Sequence, residues 1–202
     1  MSQALILAAG RGERLRPATD QTPKPLLNDG DQPLIDRHLH ALAAAGVRRV
    51  VVNLGWLGEQ VMAHVGDGSR FGVTALMSPE GYPTLDTGGA IRRALSILDD
   101  APFWVVNADI HCGFDFSQGP AAMLGQQDAA IGLVDNPPYR DDGDFSLTEG
   151  LCANQGPDRR TFSGIACYRP EFFTGLPDGR FSIVPLLRQA ADEQRLAGFD
   201  IA

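Results

Sequence analysis

Ala4-Leu5-Ile6-Leu7-Ala8-Ala9-Gly10-Arg11-Gly12-Glu13-Arg14-Leu15-Arg16-Pro17 joins two kinds of chain without a linker. Residues 4–8 are an unbroken apolar run closed by Gly10. A run that short, with no polar alternation, reads as a strand buried on both faces, as in a parallel sheet. The next segment has no apolar period. Residues 11–30 carry Pro17, Pro23 and Pro25 with Arg11, Arg14, Arg16 and Lys24, which reads as a long structured loop of the kind that carries function. Gly10 and Gly12 let backbone N–H groups approach phosphate oxygens, and the arginines can neutralise phosphate charge. By itself the same stretch fits a turn with solvated arginines. No GK[ST] comes after it, as a Walker A loop needs, and Arg14 stands near the place of a third fingerprint glycine.

Outward from this stretch, helices and strands alternate at the spacing of crossover units. Leu34, Ile35, Leu39, Leu42 and Ala43 recur at helical spacing and end at Gly46; residues 50–53 then read as a strand, 57–65 as a helix and 73–77 as a strand. Residues 88–98 predict a helix, with Ile91, Ala94, Leu95 and Leu98 on one face, and 103–107 a strand of aromatic and β-branched residues. Beyond it, strands at 129–134 and 162–168 flank a polar stretch, 135–161, read as a lid or insertion. A last helix spans 183–193. The pattern predicts an α/β fold with a mixed, mostly parallel sheet and helices on both faces.

Composition narrows the class. The 202 residues, 44% hydrophobic and 21% charged, suit one domain, 1–202, with a sizeable core. A formal charge of −8 argues against tracking a nucleic-acid backbone, so any cationic cluster is local. Cys112, Cys152 and Cys167 are odd in number without a CxxC pair, and His38, His40, His64 and His111 lack metal-ligand spacing. The first apolar run is too short for a signal-peptide core, and nothing reaches the length of a membrane span, so the expectation is a cytoplasmic protein.

Three further stretches could carry chemistry. In Thr22-Pro23-Lys24-Pro25-Leu26 two prolines stiffen the chain around one ammonium group and aim it, although an exposed turn lysine fits as well. Ser78-Pro79-Glu80-Gly81, then Asp86-Thr87-Gly88-Gly89-Ala90, offers glycines for close approach of a flat ligand, or simply a capped helix start. Asn107-Ala108-Asp109 ends a buried strand where open α/β sheets place ligands; Asp109 suits a hard cation or a turn equally.

In this order and spacing, Leu7 to Pro17, the TPKPL lysine and the strand-terminal Asn107-Ala108-Asp109 resemble the sugar-1-phosphate nucleotidyltransferase family, over residues 1–168. SPEG, DTGGAI, LVDNP, Gly143-Asp144-Phe145 and Phe162-Ser163-Gly164-Ile165 resemble its branch that uridylylates a cell-wall sugar in peptidoglycan recycling. The resemblance implies a Rossmann-like sheet with a small sugar-binding insertion. It implies a transferase that moves a uridylyl group from UTP to a sugar 1-phosphate, N-acetylmuramate 1-phosphate in that branch, with release of pyrophosphate. Ala8, Ala9, Gly10, Arg11 and Gly12 would contact the nucleotide, Arg14 the triphosphate with Arg16 beside it, and Lys24 the reacting phosphate. Gly81, Thr87 and Gly88 would line base and ribose, Asn107 the ribose, and Asp109 would hold Mg2+. Asp144, Ser163 and Gly164 would meet the sugar. Arg14, Lys24 and Asp109 form the catalytic set, and neither nucleic acid nor membrane is an expected partner.

Small Ala8 and Ala9 resemble the pyrimidine-using branches, hence UTP. One of Arg140, Arg159 and Arg160 is expected to sense the lactyl carboxylate of a muramyl sugar. Two departures keep alternatives open. Ala108 replaces the family's usual Gly. The W-x-D-V-G-T element that carries a second metal ligand is absent, and Asp200 lacks its context, so a truncated chain or a weakened metal site is expected. The alternatives are another hexose 1-phosphate with dTTP or GTP, and a nucleotide-binding relative without turnover.

Overall fold

Successive pairs in the buried strands, Leu5/Ile6, Val51/Val52 and Val105/Val106, send side chains to opposite faces of one sheet, and each face collects its own helices. The computed structural model describes residues 2–111, 113–138 and 142–201. In chain order these form β1 (Gln3–Leu7), β2 (Asn28–Asp29), β3 (Gln32–Pro33), α1 (Leu34–Ala44), β4 (Arg49–Leu54) and α2 (Gly58–Val65). Next come β5 (Thr74–Pro79), α3 (Asp86–Ala94), β6 (Phe103–Asn107), α4 (Gly119–Leu124) and β7 (Ala129–Val134). The chain closes with β8 (Ser146–Thr148), β9 (Leu151–Ala153), β10 (Thr161–Tyr168), α5 (Val184–Asp192) and β11 (Leu196–Asp200).

The main sheet has nine strands in the order β5-β4-β1-β6-β10-β7-β11-β9-β8, and β2 and β3 form a separate hairpin. β5, β4, β1 and β6 are parallel, β10 runs against β6 and β7, and β7 is parallel to β11. On one face Ile35, Leu39, Leu42, Val61, Val65 and Leu124 from α1, α2 and α4 pack on Ile6, Val52 and Trp104. On the other, Ile91 and Ala94 of α3 and Leu187 and Ala190 of α5 pack on Leu5, Val51, Phe103 and Tyr168. This is the expected architecture. Its strand order reverses at β1: β4 and β5 lie on one side and β6 on the other, so the carboxyl ends of β1 and β6 border a topological switch point.

Local signals fixed most boundaries. α1 ends where Gly46 adopts φ 83°, with Val47 N donating to Leu42 O and Gly46 N to Ala43 O, a Schellman closure. α3 is shorter than its apolar period: after Ala94 the chain continues in turns, while Leu98 still packs in the core. Four elements, α4, β8, β9 and β11, carried too weak a signal to be read. α4 is brief and begins at Gly119-Pro120. β8 and β9 are joined by Glu149-Gly150 with φ 50° and 79°, a tight hairpin turn built on Glu-Gly. The apolar run of β11 is broken by Gly198, whose absent Cβ leaves room for Cys152 Sγ and Leu147 Cδ1. The hairpin of β8 and β9, within the 135–161 stretch, adds the last two strands to the sheet edge. Among the described residues no helix is long and apolar enough to cross a membrane.

Candidate active site

The carboxyl ends of β1, β4, β5 and β6 surround a cleft of about 550 Å3, bordered by Ala8, Ala9 and Gly10, then Asn53, Glu80 and Asn107 to Asp109. Past Ile6 and Val52 the backbone register of β1 with β4 ends, and Asn53 Oδ1 accepts the Ala8 and Ala9 N–H groups in its place. The chain then rises as the glycine loop. A Cβ on Gly10 would meet only open space, so this edge of the loop is free for a ligand. Gly12, at φ 66°, is needed for another reason: a side chain there would press on Thr19 and on the stem of Lys24, 3.0–3.1 Å away.

The loop of residues 11–30 folds as three short 3-10 turns, Glu13–Leu15, Ala18–Asp20 and Lys24–Leu26. Its cations divide. Arg11 is turned away from the cleft: its guanidinium lies 4.2 Å from the centre of the Trp56 ring and 3.5 Å from Asp20. A hydrogen bond to Tyr82, and then Asp20, holds its pKa above the usual value. Arg16 pairs with Asp20 at 2.9 Å, also outside the cleft. Arg14 lines the cleft and has no hydrogen bond or ion pair among the described residues. Lys24 lines it too, with Nζ 2.5 Å from Asp109 Oδ2 across the gap between the loop and the end of β6. This contact joins two motifs 85 positions apart.

The opposite wall is the start of α3. Asp86 holds φ 61°, a left-handed conformation costly for a residue with a side chain, and its Oδ1 accepts the Thr87 N–H. Thr87 Oγ1 accepts the Ile183 N–H, and Phe181 O accepts the N–H groups of both Gly88 and Gly89. This lacing explains the two glycines. A Cβ on Gly88 would lie 2.4 Å from the Phe181 ring, and one on Gly89 2.1 Å from Gly179 O. The space a Cβ would take at these glycines is filled by the protein's own chain, and neither glycine lines the cleft. The laced segment delivers Arg180 to the cleft, with no ion pair among the described residues, a residue the sequence reading missed because it lies in no motif.

A smaller cavity of about 210 Å3 adjoins the cleft, sharing Leu7, Asp86, Thr87 and Asn107 with it and adding Phe162, Gly164 and Val184. Gly164, at φ 90°, lies where a Cβ would come 2.6 Å from the Asn107 amide. Other expected contacts fall elsewhere. Gly81 borders neither cavity; Glu80 and Thr84 stand at the cleft instead. Ser163 Oγ accepts the Ile165 N–H at the irregularity in β10. Asp144 accepts the Phe162 N–H at 2.9 Å and lies 3.8 Å from Arg188, bordering neither cavity. Arg159 pairs with Asp142, and Arg160 with Asp200 and Asp135, away from the cleft; Arg140 is outside the described residues.

The donor set fits a hard divalent cation held mainly by a ligand. Asp109 is 40% exposed, Lys24 contacts only one of its oxygens, and Mg2+ typically takes one or two carboxylates with waters and substrate phosphates. Among the described residues there is no cluster of three metal-ligating side chains. Asp200 is on β11, separated from β6 by β10 and β7, and bound to Arg160.

A cleft at a switch point, lined by a glycine loop, a lysine aimed at a carboxylate and two arginines without ion pairs among the described residues, defines a phosphate-handling α/β protein. The comparisons give the family: the nucleotidyl transferase model matches residues 3–142, and the chain belongs to that family. It is 43% identical to the N-acetylmuramate alpha-1-phosphate uridylyltransferase of Neisseria meningitidis serogroup B, over 97% of this chain and 88% of that one. With the protein of the same name from Caulobacter vibrioides the identity is 32%, over 96% and 86%. A Bacillus anthracis structure assigned as a glucose-1-phosphate thymidylyltransferase superposes with a TM-score of 0.86 at 18% identity, over 100% of this chain and 87% of that one, which establishes the fold.

Proposed function

We propose that the chain transfers the uridylyl group of UTP to N-acetylmuramate 1-phosphate, giving the UDP-sugar and pyrophosphate. The observation that carries this reading is the convergence of Arg14, Lys24 and Asp109 on one cleft beside the open backbone of Gly10. The names of the two relatives support the choice of substrates.

The sugar-phosphate oxygen attacks the α-phosphorus in line while pyrophosphate leaves on the opposite side, so no protein nucleophile is required. Both reactants are anions, and catalysis rests on positioning and on offsetting their repulsion. Lys24, half fixed by Asp109, presents its remaining protons to the reacting phosphate. Arg14, with no ion pair among the described residues, has its donors available for the β- and γ-phosphate oxygens that leave as pyrophosphate. Asp109 would hold a divalent cation such as Mg2+, which would supply further charge neutralisation. For a sugar that carries a carboxylate, we assign the recognising cation to Arg180: Arg159 and Arg160 are already paired with carboxylates, whereas Arg180 faces the cleft.

The test is pyrophosphate release with Mg2+ and UTP, comparing N-acetylmuramate 1-phosphate, N-acetylglucosamine 1-phosphate and a blank without sugar. Release that depends on the muramyl substrate is expected. Release with dTTP or GTP and another hexose 1-phosphate, or UTP binding without release, would replace this reading.

A further inference from the structure

Where β1 leaves the sheet, two side chains take over from the backbone ladder. Asn53, 2% exposed, accepts the Ala8 and Ala9 N–H groups through Oδ1 and donates through Nδ2 to Glu80 Oε1 at 2.6 Å. Glu80 Oε2 accepts the Leu85 N–H at 2.9 Å, at the residue before Asp86. The orientation of the Asn53 amide is fixed, because two backbone donors demand an oxygen and a carboxylate demands an NH2 group. Glu80 in turn meets one donor on each oxygen. One amide–carboxylate pair thus ties the glycine loop, the ends of β4 and β5, and the entry to α3, all of which face the cleft.

We propose that Asn53 and Glu80 act together as a positioning clamp that sets the distance between the two nucleotide-facing walls, Ala8-Ala9-Gly10 and Asp86-Thr87. The clamp rests on the reading of this cleft as the nucleotide site. Its chemistry is directional, so it has a polarity that can be reversed. In Asn53→Asp, two carboxylates face one another. In Glu80→Gln, one position must meet two donors with a single oxygen. In the double variant N53D/E80Q every donor again has an acceptor. The carboxylate at 53 takes the Ala8 and Ala9 N–H groups and the amide of the new residue at 80, whose oxygen takes the Leu85 N–H.

The experiment titrates Mg2+-UTP into the intact parent, N53D, E80Q and the double variant, and measures their KM values and unfolding midpoints. Each single variant is expected to weaken UTP binding by about tenfold, and the double to return within about threefold of the parent. The KM for UTP is expected to rise more than that for the sugar phosphate. A purely structural pair would lower the folded fraction and leave both KM values unchanged, which would overturn the proposal. So would a double variant that fails to recover, whether inactive or unfolded. A parent that does not bind UTP would instead refute the function assigned to the cleft.

Discussion

The two halves of the molecule treat their charged and glycine-rich motifs in opposite ways. In the amino-terminal half, Arg14 has no ion pair among the described residues, Lys24 spends one contact on Asp109, and Gly10 borders empty space. In the carboxyl-terminal half, Asp144 binds the Phe162 N–H, Arg160 is held between carboxylates, and a Cβ on Gly143 would strike the Arg159 carbonyl at 2.2 Å. A polar group whose hydrogen bonds are completed by its own chain has little left to offer a ligand, whereas one left open beside a cleft does. The open groups of the first half, Arg14, Lys24 and Gly10, with Arg180 reaching the cleft from the second half, support the proposed reaction site, whereas Asp144 and Arg160 are engaged by their own chain.

This contrast breaks most readily at Lys24. Lys24→Met is expected to lower the transfer rate by about 10²–10³-fold. Its unfolding midpoint should hardly change, since a partly exposed ion pair contributes only about 0–1 kcal/mol. Steady-state kinetics beside thermal unfolding checks both halves of the statement. Next come the arginines. Arg14→Ala should weaken UTP about tenfold, and Arg180→Ala should cut the preference for a muramyl over a glucosaminyl phosphate by a similar factor, both losses shrinking as salt is raised. An unchanged sugar preference in Arg180→Ala would remove that residue from the account. In the other half, Gly143→Ala should cost about 1–3 kcal/mol of stability through backbone overlap, with the activity of the folded fraction retained. Chemical denaturation measures this.

The smallest effect concerns the thiols. Burial pushes the Cys152 thiol up to about 12 and raises that of Cys167 as well, so neither forms appreciable thiolate near neutral pH. Raising the pH from 7 to 9 should leave both unlabelled by an alkylating reagent in the native protein, with labelling appearing on unfolding. Peptide mapping distinguishes this from an open sheet edge, which would label at Cys152.

The same division governs what the sequence made legible. β6 and β7 were read to the residue, because uninterrupted apolar runs between turn signals admit one interpretation. Lys24 and Asp109 were each read as functional groups, yet their contact depends on the path of the 11–30 loop, which no periodicity describes. Gly88 was legible as a glycine that something must approach closely; that the visitor is Phe181 depends on the placement of a segment 93 positions later. Arg180 and the Asn53–Glu80 pair lay outside or at the margin of any motif, because their roles arise from strand order. β8, β9 and β11 were missed since short strands with glycine neighbours carry little hydrophobic pattern.

The most direct measurement is UTP affinity and unfolding midpoint on the same samples of the parent, Lys24→Met and Asp144→Asn, with Mg2+ present. Loss of UTP binding without loss of stability in Lys24→Met, and loss of stability with unchanged UTP affinity in Asp144→Asn, is the predicted result. The reverse pattern, or equal losses of affinity in both, would contradict the division of labour between the two halves.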